Sequence, residues 1–429
     1  MESRIATPRG QTATAADTAQ DFSTHEVAQS ATVNGWRIGL ILMGVMIALP
    51  AFMMGAELAN SLGAVGGLEA SFGGGAILML VALPAAFAGA RSRLSTYMLI
   101  IDAFGSIGGR LVNVLISLSL LGWFGVIAMM FGGAMRSVAP AALANVTTTA
   151  WAAVGCLLMI ATNFIGFRAL DRLSALTTPL KIALLGWSSW TALRLYGSAA
   201  LKAAPPTGSY PVATGISIVV GGIAIGSVLM PDICRYARSP RHAIFACLIA
   251  FGVGFPLILV LAGIPSLATG EHDLVPIMLK LGLGLPAMAV ILLAAWSTNT
   301  YNLYASTLVW STMTTTLPRW QLALAAGLIG SAAGLLGLSG QLTQYLIVLS
   351  IGIPPIGGVY LCNYYLSLRG HRGDTSQWHV KAFVAWGIGI AGSVTQMTWH
   401  LTLTSVPALD SLGLAAAAYL VLRRAGATR

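Results

Sequence analysis

Between Ile291 and Ser306 the chain reads ILLAAWSTNTYNLYAS, an apolar helical stretch that turns polar where its surroundings call for hydrocarbon. Ser297, Thr298, Asn299, Thr300 and Asn302 fill five of six consecutive positions. Polar side chains at membrane depth are costly unless they face a cavity, a ligand or a neighbouring helix. The carbonyl of Ala294 and the hydroxyls of Ser297 and Thr298 fall at i, i+3 and i+4, hence on one helical face. Three neutral oxygens so placed can replace the hydration shell of a small cation without putting a formal charge in lipid. The plainer reading is that Ser, Thr and Asn join helices by interhelical hydrogen bonds. That reading suffices for an isolated polar residue and is strained by five packed so closely.

The elements that must hold this stretch are legible from composition. Of 429 residues, 56% are hydrophobic and only 8% charged, against about 25% charged in a soluble domain. Apolar runs of roughly 20 residues, the length that spans a bilayer as helix, recur along the chain. The sequence predicts an all-α polytopic membrane protein. Twelve spans are expected, roughly at 34–59, 73–90, 104–135, 140–165, 174–196, 213–231, 243–268, 284–311, 320–338, 341–367, 380–398 and 406–423. Residues 1–32, rich in Ala, Thr and Ser without apolar periodicity, are expected to be a disordered cytoplasmic tail, and residues 33–425 one transmembrane domain.

The net charge of +10 records topology. With loops assigned alternately to two sides, Arg136, Arg194, Lys202 and Lys280 fall on one side, and the other 19 of the 23 Lys and Arg, Lys181 among them, fall on the opposite one. The basic loops ARSRLST, RALDRLS, RYARSPRH and LRGHRGD are short, as inner loops should be. By the positive-inside rule both termini are cytoplasmic, the protein sits in the inner or plasma membrane, and nucleic acid is excluded as a partner. No Lys, Arg, Asp or Glu is expected near the middle of a span; Glu57 and Asp232 come nearest, toward helix ends. A buried charged ligand normally needs a counter-charge. The chemistry therefore points to a neutral ligand and to a cation held by dipoles, which suits Na⁺ better than a proton carried on a carboxylate. The four cysteines have no metal-ligand spacing, the six histidines lie in the tail, loops or helix ends without an HExxH pattern, and no carboxylate pair sits at depth. An enzyme and a cofactor are thus not expected, and a carrier is favoured over a channel.

Two spans are unusually rich in helix breakers. The first carries GLILMGVMIALP and the sixth VVGGIAIGSVLMPD, with Gly221, Gly222, Gly226 and Pro231. Interrupted helices at matching positions of two halves point to an inverted-repeat transporter with its site at the midplane. Spans one and six are five apart, so the repeats are five helices each, about 33–197 and 212–368, with two further helices at about 379–424. Regular helix is expected to fail near Gly44–Leu49 and Gly221–Gly226. In the tenth span, SIGIPPIGGVYLCNYY places Pro354 and Pro355 where either a hinge or a static kink would serve.

These pieces resemble the nucleobase:cation symporters, the group of cytosine permeases, allantoin permeases and hydantoin transporters, and most of all its cytosine permeases. The likeness is carried by LLGWFGVIAMMFG, GSVLMPDICRYARSPRHA, AAWSTNTYNLYAS and IPPIGGVYLCNYYL, and extends over roughly residues 34–424. It implies a LeuT-like fold and a purine, pyrimidine or related ring held between the broken helices and spans three and eight. By position, Trp123 resembles the aromatic that stacks on the ring, Asn299 the amide that hydrogen-bonds it, and Asn302 a second amide. The backbone around Gly222 would complete the pocket. The implied Na⁺ ligands are the carbonyls of Gly44, Ile47 and Ala294 with the hydroxyls of Ser297 and Thr298; Ala48 is the alternative to Ile47. Two positions depart from the pattern: Leu120 stands where cytosine permeases carry Gln, and Ile223 where relatives place an aromatic. The resemblance implies cation-coupled import, with cytosine, hydroxymethylpyrimidine, purines and allantoin-like rings as candidate substrates and H⁺ as the alternative coupling ion.

Overall fold

Helix α1 (Gly35–Met46) starts where Asn34 supplies an N-cap, its side chain accepting from the Arg37 amide at 2.9 Å. Twelve residues reach only about 18 Å at 1.5 Å per residue, short of the roughly 30 Å of hydrocarbon. The helix nevertheless stops at Met46: Ile47 (φ −78°, ψ 81°) and Ala48 (φ −124°, ψ 162°) are non-helical, and α2 (Leu49–Ser92) restarts with Pro50 in its first turn. A proline there forfeits no intrahelical bond. The break falls inside the expected Gly44–Leu49 window.

The computed structural model describes residues 26–425, except 165–166, 204–207, 209, 273, 315, 342–344, 346–347, 350, 368–375, 400–402 and 405. α2 is 44 residues long, but Gly63 (φ 73°, ψ 177°) divides it. A residue with a Cβ adopts that conformation only with strain, so one glycine turns the chain where a longer connection was expected between the first two spans. Next come α3 (Thr96–Phe104), α4 (Ser106–Val138), α5 (Thr148–Asn163) and α6 (Phe167–Tyr196). α7 (Val212–Val228) carries the second break: Ile223, at φ −133° and ψ 15°, lies within the expected Gly221–Gly226. α8 (Met230–Cys234) and α9 (Pro240–Cys247) follow. α9 runs through a π-helical turn, Leu248–Gly254, into α10 (Phe255–Thr269). α11 (Leu274–Lys280), α12 (Gly284–Met313), α13 (Arg319–Leu335), α14 (Pro354–Ser367), α15 (Val380–Trp399) and α16 (Pro407–Ala425) complete the bundle.

Among the described residues, three helical stretches are long and apolar enough to cross a membrane: Leu49–Ser92, Ser106–Val138 and Pro240–Thr269. Shorter apolar helices, including Gly35–Met46 and Val212–Val228, lie beside them. The protein is an all-α polytopic membrane protein, with large apolar side chains such as Leu80, Leu157 and Leu195 facing outward.

Residues 1–25 of the expected tail lie outside the described residues, whereas residues 27–33 make defined contacts with the bundle. Val27 is buried and its amide donates to the Arg93 carbonyl at 3.2 Å. Val33 then pairs with the segment after α8: its amide donates to Tyr236 O at 2.7 Å, and Arg238 N donates to Val33 O at 3.0 Å. The entry to the first broken helix is thereby tied to the exit of the second. Asp232 accepts from the Thr96 amide at 2.7 Å, joining the end of the second broken helix to the start of α3. The loop LRGHRGD lies outside the described residues. In the tenth span, Pro354 starts α14 after a bend at Ile353, a position where proline is at ease.

Close approach through glycine holds the broken helices in place. A Cβ on Gly55 would stand 2.4 Å from the Leu259 carbonyl of α10, a backbone atom with little freedom to yield. Gly55→Ala is expected to destabilise the fold by about 1–3 kcal/mol, the usual cost of overpacking. The check is the unfolding temperature of purified protein; an unchanged value would mean that the α2–α10 contact is looser than these distances.

Candidate substrate and cation site

The two breaks face one cavity of about 80 Å³, several times the roughly 10–15 Å³ that admits one water. Val45, Met46, Ala48 and Met54 line it from the first break, and Gly222, Ile223 and Gly226 from the second. α4 contributes Leu120, Trp123 and Ile127; α12 contributes Thr298, Tyr301 and Asn302; α10 contributes Phe255. Met54 packs against Gly222: a Cβ there would stand 2.1 Å from Met54 Cε, the far end of a flexible side chain that would have to swing aside. None of the lining residues carries a formal charge. The wall is a predominantly apolar slot with aromatic faces, one amide, one hydroxyl and one phenol, a wall suited to a small neutral ring.

Trp123 is buried and braced edge-on by Tyr345, with centroids 5.7 Å apart and rings at 72°. Tyr345 in turn donates its phenol to the Ser119 carbonyl. The amide of Asn302 donates to Asn299 Oδ1 at 3.3 Å, and that of Asn299 donates to the Phe124 carbonyl of α4 at 2.9 Å. Asn302 therefore reaches the cavity, whereas Asn299 stands behind it and fixes its orientation. Thr298 Oγ1 donates to the Val45 carbonyl at 3.3 Å, joining α12 to the end of α1.

Beside Thr298 the geometry departs from the sequence expectation. Lys181 of α6 is fully buried, and its ammonium donates to the Gly44 carbonyl at 2.6 Å and to Ser297 Oγ. Ser297 Oγ in turn donates to the Ala294 carbonyl at 3.1 Å. The expectation that no charged residue lies near the middle of a span is thus corrected. Lys181 was counted with the inner loops, but α6 begins at Phe167 and carries it into the bundle. Ile47, whose amide closes α1 on Met43 O at 2.9 Å, marks the break itself. Of the five expected cation ligands, Gly44 and Ser297 already hold a positive group. A second monovalent charge about 4 Å away would meet a repulsion on the order of 4 kcal/mol at an effective dielectric of 20. With a protonated Lys181 in place, these residues do not fit an added Na⁺.

The sequence compares clearly with known proteins. Residues 27–422 match the family described as permeases for cytosine/purines, uracil, thiamine and allantoin. The chain belongs to this nucleobase:cation symporter family. It is 30% identical to the cytosine permease of Escherichia coli K12 over 376 residues, 86% of this chain and 88% of that one, and equally similar to the cytosine permease of Escherichia coli O157:H7. Among solved structures, Mhp1, a nucleobase-cation-symport-1 transporter closed around bromovinylhydantoin, superposes with a TM-score of 0.82 at 16% identity, covering 94% of each chain. A Na⁺-coupled sialic acid symporter superposes with a TM-score of 0.69 at 13% identity, covering 94% of this chain and 92% of that one. The fold is that of the family, LeuT-like, and the protein is a polytopic transporter of this class, not an enzyme.

Against the family pattern, five of the six expected substrate positions, Leu120, Trp123, Gly222, Ile223 and Asn302, meet at the cavity, and Asn299 stands one step away. Sequence reasoning missed Met54, Tyr301 and Phe255. Tyr301 sits within the polar stretch, so the signal was present there. Phe255 follows the π-helical turn, whose extra residue per turn re-aims the helix: its amide bonds Ala250 O, five residues back. The run GVGFP was the available sign.

Proposed function

We propose that this protein is a secondary active importer of a neutral, planar nucleobase-like heterocycle, working by alternating access in the inner or plasma membrane. The observation that carries the reading is the uncharged cavity at the meeting point of two helix breaks, with Trp123 offering a face and Asn302 an edge. Cytosine-like rings are the first candidates because the curated relatives are cytosine permeases. Purines, allantoin-like rings and hydroxymethylpyrimidine follow, since Leu120 and Ile223 alter the pocket while Tyr301 and Phe255 supply other aromatic surface.

The finer architecture belongs to the same proposal: twelve spans, arranged as two inverted five-helix repeats and two C-terminal helices, with both termini cytoplasmic. The two breaks, at Ile47–Ala48 and at Ile223, lie at corresponding positions of the two halves and support it. Ion-coupled symport suits the fold. Of the five residues Gly44, Ile47, Ala294, Ser297 and Thr298, Gly44 and Ser297 hold the Lys181 ammonium that joins α1 to α12, and Lys181 bears on the choice between Na⁺ and the alternative, H⁺. The deciding experiment is uptake by cells expressing the protein, with labelled cytosine competed by the other rings. Saturable uptake that collapses with the ion gradient and is competed by neutral rings is expected. Passive conductance, or indifference to every ring, would refute the proposal.

A further inference from the structure

We propose that Lys181 is a tethered cation that takes the place of Na⁺ in the site joining the broken first helix to α12, so that this protein is independent of sodium. The inference deepens the cation-site reading above and is tested without any substrate, so its failure and that of the heterocycle reading are distinguishable.

Four observations carry it. The Lys181 ammonium lies on the Gly44 carbonyl and on Ser297 Oγ, groups that would each serve a bound monovalent cation. It thereby links α1, α6 and α12 at one point, the mechanical work that a bound ion would do there. The second observation is the helix that carries it. Ser174, Thr177, Thr178 and Lys181 stand at i, i+3, i+4 and i+7, a polar stripe along the inward face of α6, and all four are buried. The hydroxyls of Ser174 and Thr177 have no hydrogen-bond partner among the described residues, so the stripe is more polar than its own packing requires. Third, α1 is pressed against this stripe: a Cβ on Gly44 would stand 2.6 Å from Thr178 Oγ1 and 3.0 Å from Ser174 Oγ, while Thr178 Oγ1 donates to Leu40 O at 3.2 Å. Glycine at 44 lets the carbonyl approach the ammonium. The fourth is the neighbourhood: the cavity beside the site has no charged residue on its wall, so the lysine has no carboxylate there to neutralise. A bare ammonium held by a carbonyl and a hydroxyl is the arrangement of a coordinated cation, and its charge excludes another from the same oxygens.

The test is thermal unfolding of the purified full-length protein, with sodium chloride exchanged for choline chloride at constant ionic strength, together with retention of radioactive sodium. Because a ligand that binds only the folded state raises its unfolding temperature, the parent is expected to unfold at the same temperature in both salts and to retain no sodium above background. In Lys181→Ala the oxygens are released, and the unfolding temperature is expected to rise saturably with Na⁺ and not with choline. Lys181→Thr, which keeps a hydroxyl in the stripe, is the second variant should the alanine variant not fold. Saturable stabilisation of the parent by Na⁺, or its retention of sodium, would overturn the inference. So would a folded lysine-free variant that stays indifferent to Na⁺, since the oxygens would then not form a cation site.

Discussion

Trp123→Ala is expected to weaken ligand binding roughly tenfold to a hundredfold. Stacking of a base on an aromatic side chain is worth about 1–3 kcal/mol by alanine substitution, and about 1.4 kcal/mol is one decade in affinity. The ring is pre-positioned: Tyr345 holds it edge-on at 5.7 Å, and the Ser119 carbonyl anchors the Tyr345 phenol. Little ordering is therefore left for the moment of binding, so the loss on truncation should approach the full stacking contribution. Trp123→Phe should recover much of it, having a smaller face in the same place. The check is equilibrium binding of labelled rings to purified protein, with the unfolding temperature measured alongside. If affinity is unchanged while stability falls, Trp123 is a packing residue of α4 and no more.

Asn302→Ala is expected to cost as much as Trp123→Ala or more. It removes the lone amide on the cavity wall, and a ligand edge left unpaired in a water-poor site loses about 1–3 kcal/mol for each buried group. The neighbouring Asn299→Ala acts by another route. Asn299 accepts from Asn302 at 3.3 Å and donates to the Phe124 carbonyl at 2.9 Å, so its loss frees the Asn302 side chain and unties α12 from α4 together. The two variants should separate in their readouts. Asn302→Ala should erase discrimination between rings with different polar edges at little cost in unfolding temperature. Asn299→Ala should lower affinity for all rings alike and lower the unfolding temperature as well. Equal loss of discrimination in both, with stability intact, would place Asn299 on the ligand instead of behind Asn302.

Legibility from the sequence followed the physics of each feature. The breaks were readable because glycine and proline act on the backbone directly, wherever their side chains point; both fall within the expected windows. The polar stretch was readable as a hub, but not the task of each member. Successive helical residues are turned by about 100°, so Ser297, Thr298 and Asn299 meet α6, α1 and α4 respectively. Only the rotation of α12 within the bundle decides which of them sees the ligand, and a single sequence does not contain it. Thr300, which bonds back to Trp296 O and whose carbonyl accepts from Asn163, belongs to the interhelical reading. Lys181 was hidden by the charge tally, which assigns a basic residue near a span's end to the nearest loop. The same i, i+3, i+4 spacing that singled out Ala294, Ser297 and Thr298 also runs through Ser174, Thr177 and Thr178, and continues to Lys181 at i+7, about two turns from Ser174.

The central claim, that the cavity between the two breaks holds a neutral planar ring against Trp123, is tested most directly by equilibrium binding. Labelled cytosine and its competitors would be titrated into the purified parent and Trp123→Ala in parallel, in sodium chloride and in choline chloride. Saturable binding to the parent is predicted, displaced by uncharged rings and not by carboxylate-bearing ones, equal in the two salts, and roughly tenfold to a hundredfold weaker in the variant, from about 1–3 kcal/mol of stacking at about 1.4 kcal/mol per decade. Binding that the variant retains in full, or a preference for charged ligands, would contradict the account.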